Sequence, residues 1–151
     1  MDWTYFIPCL WAFIACAGFS VVFNIYNLVG TIICCAGGAL GWLAYLLVLL
    51  TGTTDLVSYF VAGMVIAAFS EAMARIRKCP VTGYLLVSFF PLVPGASIYY
   101  TMLHAIRGET ALAAELGMHT LGIAGCLALG VLVMASFVRM LISLLGKRRK
   151  R

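Results

Sequence analysis

The sequence predicts an all-α membrane protein: one polytopic bundle of about five helical spans, the fourth broken at Pro91–Gly95. Three observations point there. The chain of 151 residues is 64% hydrophobic and 10% charged, well outside the composition of soluble domains. Between Asp2 and Arg75 the only charged residues are Asp55 and Glu71, and a soluble fold of this length could not hide so much apolar surface. The apolar runs also approach the length of about 20 residues that a helix needs to cross a bilayer.

The first span is expected over residues 3–23, followed by a polar corner, Asn24-Ile25-Tyr26-Asn27. Asp2 stands where a cleaved signal peptide would carry basic residues, so this run is read as a span that stays in place. The second span covers 28–50 and stops at Thr51-Gly52-Thr53-Thr54. The third covers 55–74, with Asp55 well placed near the positive end of the helix dipole. The fourth covers 81–106, inside an uncharged run from Cys79 to Ile106. The fifth covers 111–145, long enough to extend beyond the bilayer, and a basic tail closes the chain at 147–151. All of this forms a single integral membrane domain.

Charge sets the orientation. Arg75, Arg77 and Lys78 follow the third span, and Lys147, Arg148, Arg149, Lys150 and Arg151 follow the fifth. Five crossings put both clusters on one side, which the positive-inside rule makes cytoplasmic. The N-terminus is then outside and the C-terminus inside. The formal charge of +5 is accounted for by topology and does not indicate nucleic acid; the tail could also touch anionic lipid.

The fourth span holds the most telling stretch, Phe89-Phe90-Pro91-Leu92-Val93-Pro94-Gly95-Ala96-Ser97-Ile98-Tyr99-Tyr100. Two prolines and a glycine within five residues interrupt a helix. The interruption falls near mid-membrane, where free backbone groups persist only in packed protein or beside a polar cavity. The second half-helix would start with unpaired N–H groups around Gly95, Ala96 and Ser97, a site for a carboxylate. Gly95 admits close approach, Ser97 offers a hydroxyl, and Tyr99 and Tyr100 offer phenols. Pro91 and Pro94 shape the turn. The simpler alternative is a proline kink that binds nothing.

Glu71 lies one turn before Arg75. The pair reads first as an interfacial ion pair and second as a coupling or gating site, since an ionisable group at membrane depth is suspect by default. Asn24 and Asn27 suit a corner that bonds helix ends, or the inner mouth of a pathway. His104 and His119 read as polar anchors, and Arg107 and Glu109 as a solvated loop. The six cysteines form no CxxC and no Cys/His pair, so they are taken as packing residues rather than metal ligands. Gly37 with Gly41, Ala68 with Ala72, Ala124 with Ala128, and Gly122, Gly125 and Gly130 suit close helix packing. Hydrolase and nucleotide-binding motifs are absent, so neither an enzyme nor a cofactor is expected.

The run Pro91-Leu92-Val93-Pro94-Gly95-Ala96-Ser97-Ile98-Tyr99-Tyr100 resembles the signature of the threonine/serine exporter family, small-subunit type. Gly18-Phe19, Phe23-Asn24, Gly38-Ala39-Leu40-Gly41-Trp42, Ser70-Glu71 and Ala74-Arg75 agree with it in order and spacing. Ile25-Tyr26-Asn27 departs from it, where a proline often follows the Phe-Asn pair. The resemblance implies a bacterial inner-membrane exporter of small carboxylate-bearing metabolites, similar to the C-terminal half of the full-length exporters. It implies work with a larger membrane subunit, self-association being the alternative, and cargo that is either amino acid or dicarboxylate such as succinate.

Overall fold

The computed structural model describes residues 7–25 and 27–148. Asp2, the expected start of the first span at residue 3, Tyr26 and the last three basic residues of the tail lie outside the described residues. Those described form helices and short turns, with no strand among them: α1 (Ile7–Val22), α2 (Leu28–Leu50), α3 (Asp55–Arg77), α4 (Val81–Phe89), a single 3₁₀ turn (Phe90–Leu92), α5 (Gly95–Ile106) and α6 (Thr110–Arg148). Three helices, α2, α3 and α6, are long and apolar enough to cross a membrane. The α4–α5 pair meets the same test as a fourth, bent by 53° at the break. The described part of α1 is shorter, at 16 residues.

Local chemistry explains the ends. At the close of α1, Ile25 N–H donates to Ser20 O at 2.9 Å and Asn24 N–H to Val21 O at 3.1 Å. This pair of hydrogen bonds turns the chain through Asn24, whose φ of 63° lies in the left-handed region that asparagine tolerates. Asn27 then caps α2 by accepting from Val29 N–H at 3.1 Å. α3 runs past the expected residue 74 to Arg77. Its basic last turn suits the negative end of the dipole, and Lys78, with φ of 54°, ends it. Gly108, with φ of 79°, makes the turn between α5 and α6.

Side-chain-free surfaces set the packing. A methyl on Gly41 would come within 2.5 Å of Ile66 on α3 and 3.2 Å of Leu92 beside the break. On Gly63 it would meet Leu127 O of α6 at 2.9 Å, and on Gly130 it would collide with Phe60 O of α3. Successive contacts Leu56–Gly122, Gly63–Leu127 and Met64–Gly130 show that α3 and α6 run in the same direction. Of the expected small-residue pairs, Gly37, Gly41 and Gly130 line interfaces. Gly125 meets nothing within 4 Å, and Ala72, Ala124 and Ala128 face outward. Two buried clusters result. One joins Cys16, Cys34, Cys35, Ala74, Tyr84 and Val87; the other joins Ala62, Ile66, Leu92, Ile123 and Leu127.

Candidate functional site

Proline chemistry makes the break. In an α-helix Val87 O would accept from the amide of residue 91, but Pro91 has no N–H. Cys16 on α1 fills the vacancy: its thiol donates to Val87 O at 3.3 Å, in a fully buried setting. Phe90 O, deprived in the same way by Pro94, accepts from Val93 N–H at 3.2 Å in a tighter turn. Ser88, also fully buried, donates its hydroxyl to Cys34 O at 3.1 Å. Phe90 stacks on Phe19 with ring centroids 3.9 Å apart. Pro91 rests against Gly38, and a methyl on that glycine would strike Cys16 Sγ. Leu92 packs at the level of Gly41 and Ile66, close to the middle of α2 and α3. On the proline side the backbone carbonyls displaced by the break are therefore bonded within the protein, while Pro91 itself is half-buried.

The glycine side is open. Gly95 N–H donates to Val93 O at 2.7 Å, and Ile98 N–H donates to Pro94 O at 3.1 Å. This corrects the expectation that the Gly95 amide is free. Ala96 and Ser97 N–H find no backbone acceptor among the described residues, and Pro94 supplies no side-chain cap. Gly95 and Ala96 are exposed, Ser97 is half-buried, and a methyl on Gly95 would meet nothing within 4 Å. Tyr99 and Tyr100 pack edge to face, 5.4 Å between centroids, and stand exposed on the same helix. α5 has no buried residue and packs chiefly on α6, through contacts such as Thr101 with Gly117. Pro91 borders a different space, a cleft of about 340 Å³ with Trp11, Ala12 and Trp42. The Trp42 indole N–H is buried there without a partner. The expected substrate residues thus fall on two sides of one break.

Towards the basic end, Arg75 holds Glu71 at 2.9 Å, with Glu71 only 8% exposed. Next to it the Ser70 hydroxyl is buried and unpartnered. Asn24 and Asn27 border a cavity of about 390 Å³ at this end. The corner itself is tied by groups the sequence reading missed: Ser20 donates to Ala17 O at 2.7 Å, and Thr31 donates to Ile25 O at 3.2 Å. Both pairs are short-range, and the polar residues near helix ends were the available signal.

The opposite end holds another missed cluster. Tyr45 on α2 donates to Asp55 Oδ1 at 2.6 Å, His119 on α6 lies 3.6 Å from Asp55 Oδ2, and Tyr59 packs on Tyr45 at 4.7 Å. Asp55 therefore joins three helices, beyond its expected place at a helix start. Glu109, expected to be merely solvated, pairs with His104 across the α5–α6 turn. Among the described residues no group of three His, Cys, Asp or Glu side chains could hold a metal ion. The cysteines are all free, and Cys16 has a bonding role beyond packing. The Ala96 and Ser97 amides and the buried Trp42 indole N–H are donors without protein acceptors, on opposite sides of the break.

A family model described as Threonine/Serine exporter, ThrE, matches residues 8–137. Searches of curated proteins and of solved structures return no significant match.

Proposed function

The chain belongs to the threonine/serine exporter family, and from that premise we propose that it is one subunit of a secondary exporter. Its cargo is a small carboxylate-bearing metabolite of the threonine or serine type, moved out across a bacterial inner membrane. The observation that carries this reading is the uncapped start of α5 at mid-bundle depth. There the Ala96 and Ser97 amides and the open Gly95 can receive a carboxylate, with Tyr99 or Tyr100 closing over it. Broken helices hold substrates in this way in other transporters.

The same opening argues for a partner. Amides facing the flank of a bundle at that depth are costly against lipid, and α5 packs chiefly on one neighbour, α6. A larger membrane subunit, or a second copy, laid on α5 would enclose the site. The parallel run of α3 and α6 supports α4–α5 as one bent crossing and five crossings in all. Arg75, Arg77, Lys78 and the tail then share the cytoplasmic face, with the N-terminus outside. Proton motive force is the expected driver, Glu71 being the carboxylate able to couple to it.

Succinate-like dicarboxylates are the second cargo class. Arg139 follows Gly130 by nine residues, about 13 Å along the helix, and so belongs to the basic end rather than the depth of the break. A second carboxylate would have to be met by the partner, which favours amino-acid cargo here. The test is export of threonine, serine and succinate from cells expressing Gly95→Leu. Loss of export at normal protein level is expected; unchanged export would remove the break from the mechanism. Liposomes holding this chain alone, then with its co-purified partner, separate a self-sufficient carrier from a subunit and from a mere assembly factor.

A further inference from the structure

α4 and α6 both pack on α3 and barely meet each other. The space between them is a groove of about 390 Å³, lined by Leu85, Leu86 and Phe89 on α4 and by Ala128, Val131 and Leu132 on α6. Every one of these side chains is hydrocarbon, and Leu86 and Leu132 stand exposed along it. The contacts Gly63–Leu127 and Met64–Gly130, continued along α6, bring Leu132 level with Ile66, the midpoint of α3. α4 starts at the basic end and reaches mid-bundle only after Phe89. The groove therefore lies in the hydrocarbon layer, on the half nearer the basic end.

Helical spacing carries the α6 wall of this groove to a charge. Ala128, Leu132, Ala135 and Arg139 recur at i, i+4, i+7 and i+11 and so share one face. Arg139 lies seven residues beyond Leu132, about 10 Å along the helix. Half of the hydrocarbon layer is about 15 Å deep. The Arg139 backbone thus falls just inside the edge of that layer, and its long side chain reaches outward to the headgroups. Arg139 is exposed and forms no ion pair among the described residues. Glu71, the described carboxylate of this end, is taken by Arg75. A cation at the mouth of an apolar groove, with no protein anion to meet it, is complementary to a phosphate that carries a hydrocarbon chain.

We propose that the α4–α6 groove holds an acyl chain of an anionic phospholipid from the leaflet at the basic end, with the lipid phosphate on the Arg139 guanidinium. The lipid brings both halves of the complement, chain and charge, at the right separation. A second copy of this chain could fill the groove with apolar side chains, but it has no free carboxylate at that height to offer, since Glu71 is already paired. The site concerns a lipid and stands whether or not the exporter reading does.

The full chain, purified in maltoside detergent, is given equal amounts of phosphatidylglycerol and phosphatidylcholine with identical acyl chains and read by native mass spectrometry. Retained phosphatidylglycerol exceeds phosphatidylcholine about fivefold, the worth of one basic side chain at an anionic surface. Arg139→Gln brings that ratio to about one, and Arg139→Lys keeps most of the preference. Ala128→Trp fills the groove and strips off both lipids. Ala128 and Leu132 are exposed, so a larger side chain there spares the fold, and Leu132→Trp repeats the test one turn on. A Lys147→Gln, Arg148→Gln variant keeps the preference, which separates the groove from the basic tail. Equal retention of the two lipids by the unaltered chain overturns the proposal, as does a preference that follows the tail and not Arg139. Retention untouched by both tryptophan variants overturns it too. So does a lipid-free dimer that those variants split, which would give the groove to a second copy.

Discussion

At Cys16 a thiol stands in for the amide that Pro91 lacks, and the substitution of one donor by another has a measurable cost when undone. Cys16→Ala leaves Val87 O buried with no donor, a loss of about 1–2 kcal/mol. Cys16→Ser keeps a donor and should recover much of it. Thermal unfolding in detergent distinguishes the two; equal melting of both variants would show the contact to be incidental. Asp55 permits a comparison of the same kind. Tyr45→Phe removes a 2.6 Å bond that is partly buried, at about 1 kcal/mol. His119→Ala removes a longer and half-exposed contact, which solvent screens to less. The melting point should therefore fall further for Tyr45→Phe. Neither partnership was legible beforehand. Cys16 and Val87 are 71 positions apart, and the sequence shows that Pro91 removes a donor but not which helix supplies another. Asn24 is the contrary case: its left-handed turn and its place at a corner follow from residue type alone.

Among the elements, α3 and α6 carry glycines that look interchangeable in sequence and are not so in space. Gly63→Ala and Gly130→Ala push a methyl against the backbone of the facing helix, and backbone cannot step aside as a side-chain tip can. Each should cost about 1–3 kcal/mol. Gly125→Ala meets open space and should gain up to about 1 kcal/mol from helix propensity. Resistance of each variant to unfolding in mixed detergent micelles gives the order. A Gly125→Ala as damaging as Gly130→Ala would mean that another chain occupies that face. The break was legible because proline and glycine act on their own backbone. Its two-sided character was not, since the bond to Val87 O and the seats of Pro91 and Phe90 come from Cys16, Gly38 and Phe19 on two other helices. Spacing of small residues likewise states that close packing occurs somewhere, while the choice of face is made by the partner helix.

For the whole molecule, the five-crossing reading predicts where the ends lie. A periplasm-active reporter should work at the N-terminus and a cytoplasm-active one at the C-terminus; the reverse pattern would overturn the orientation. Hydrogen exchange should also divide the chain at residue 93, fast at Ala96 and Ser97 and slow through Val87 to Leu92. Uniform protection across the bend would mean that α5 is as firmly held as α4. The uneven seating of that bend has a mechanical consequence. α4 is bolted to the frame by a thiol, a hydroxyl and a stacked ring, whereas α5 is fastened to α6 and little else. A stroke that alternately exposes the cargo would then be taken up by α5 tilting on the Val93–Pro94 pivot, with α6, locked to α3 through Gly63 and Gly130, belonging to the stationary base with α1 to α4.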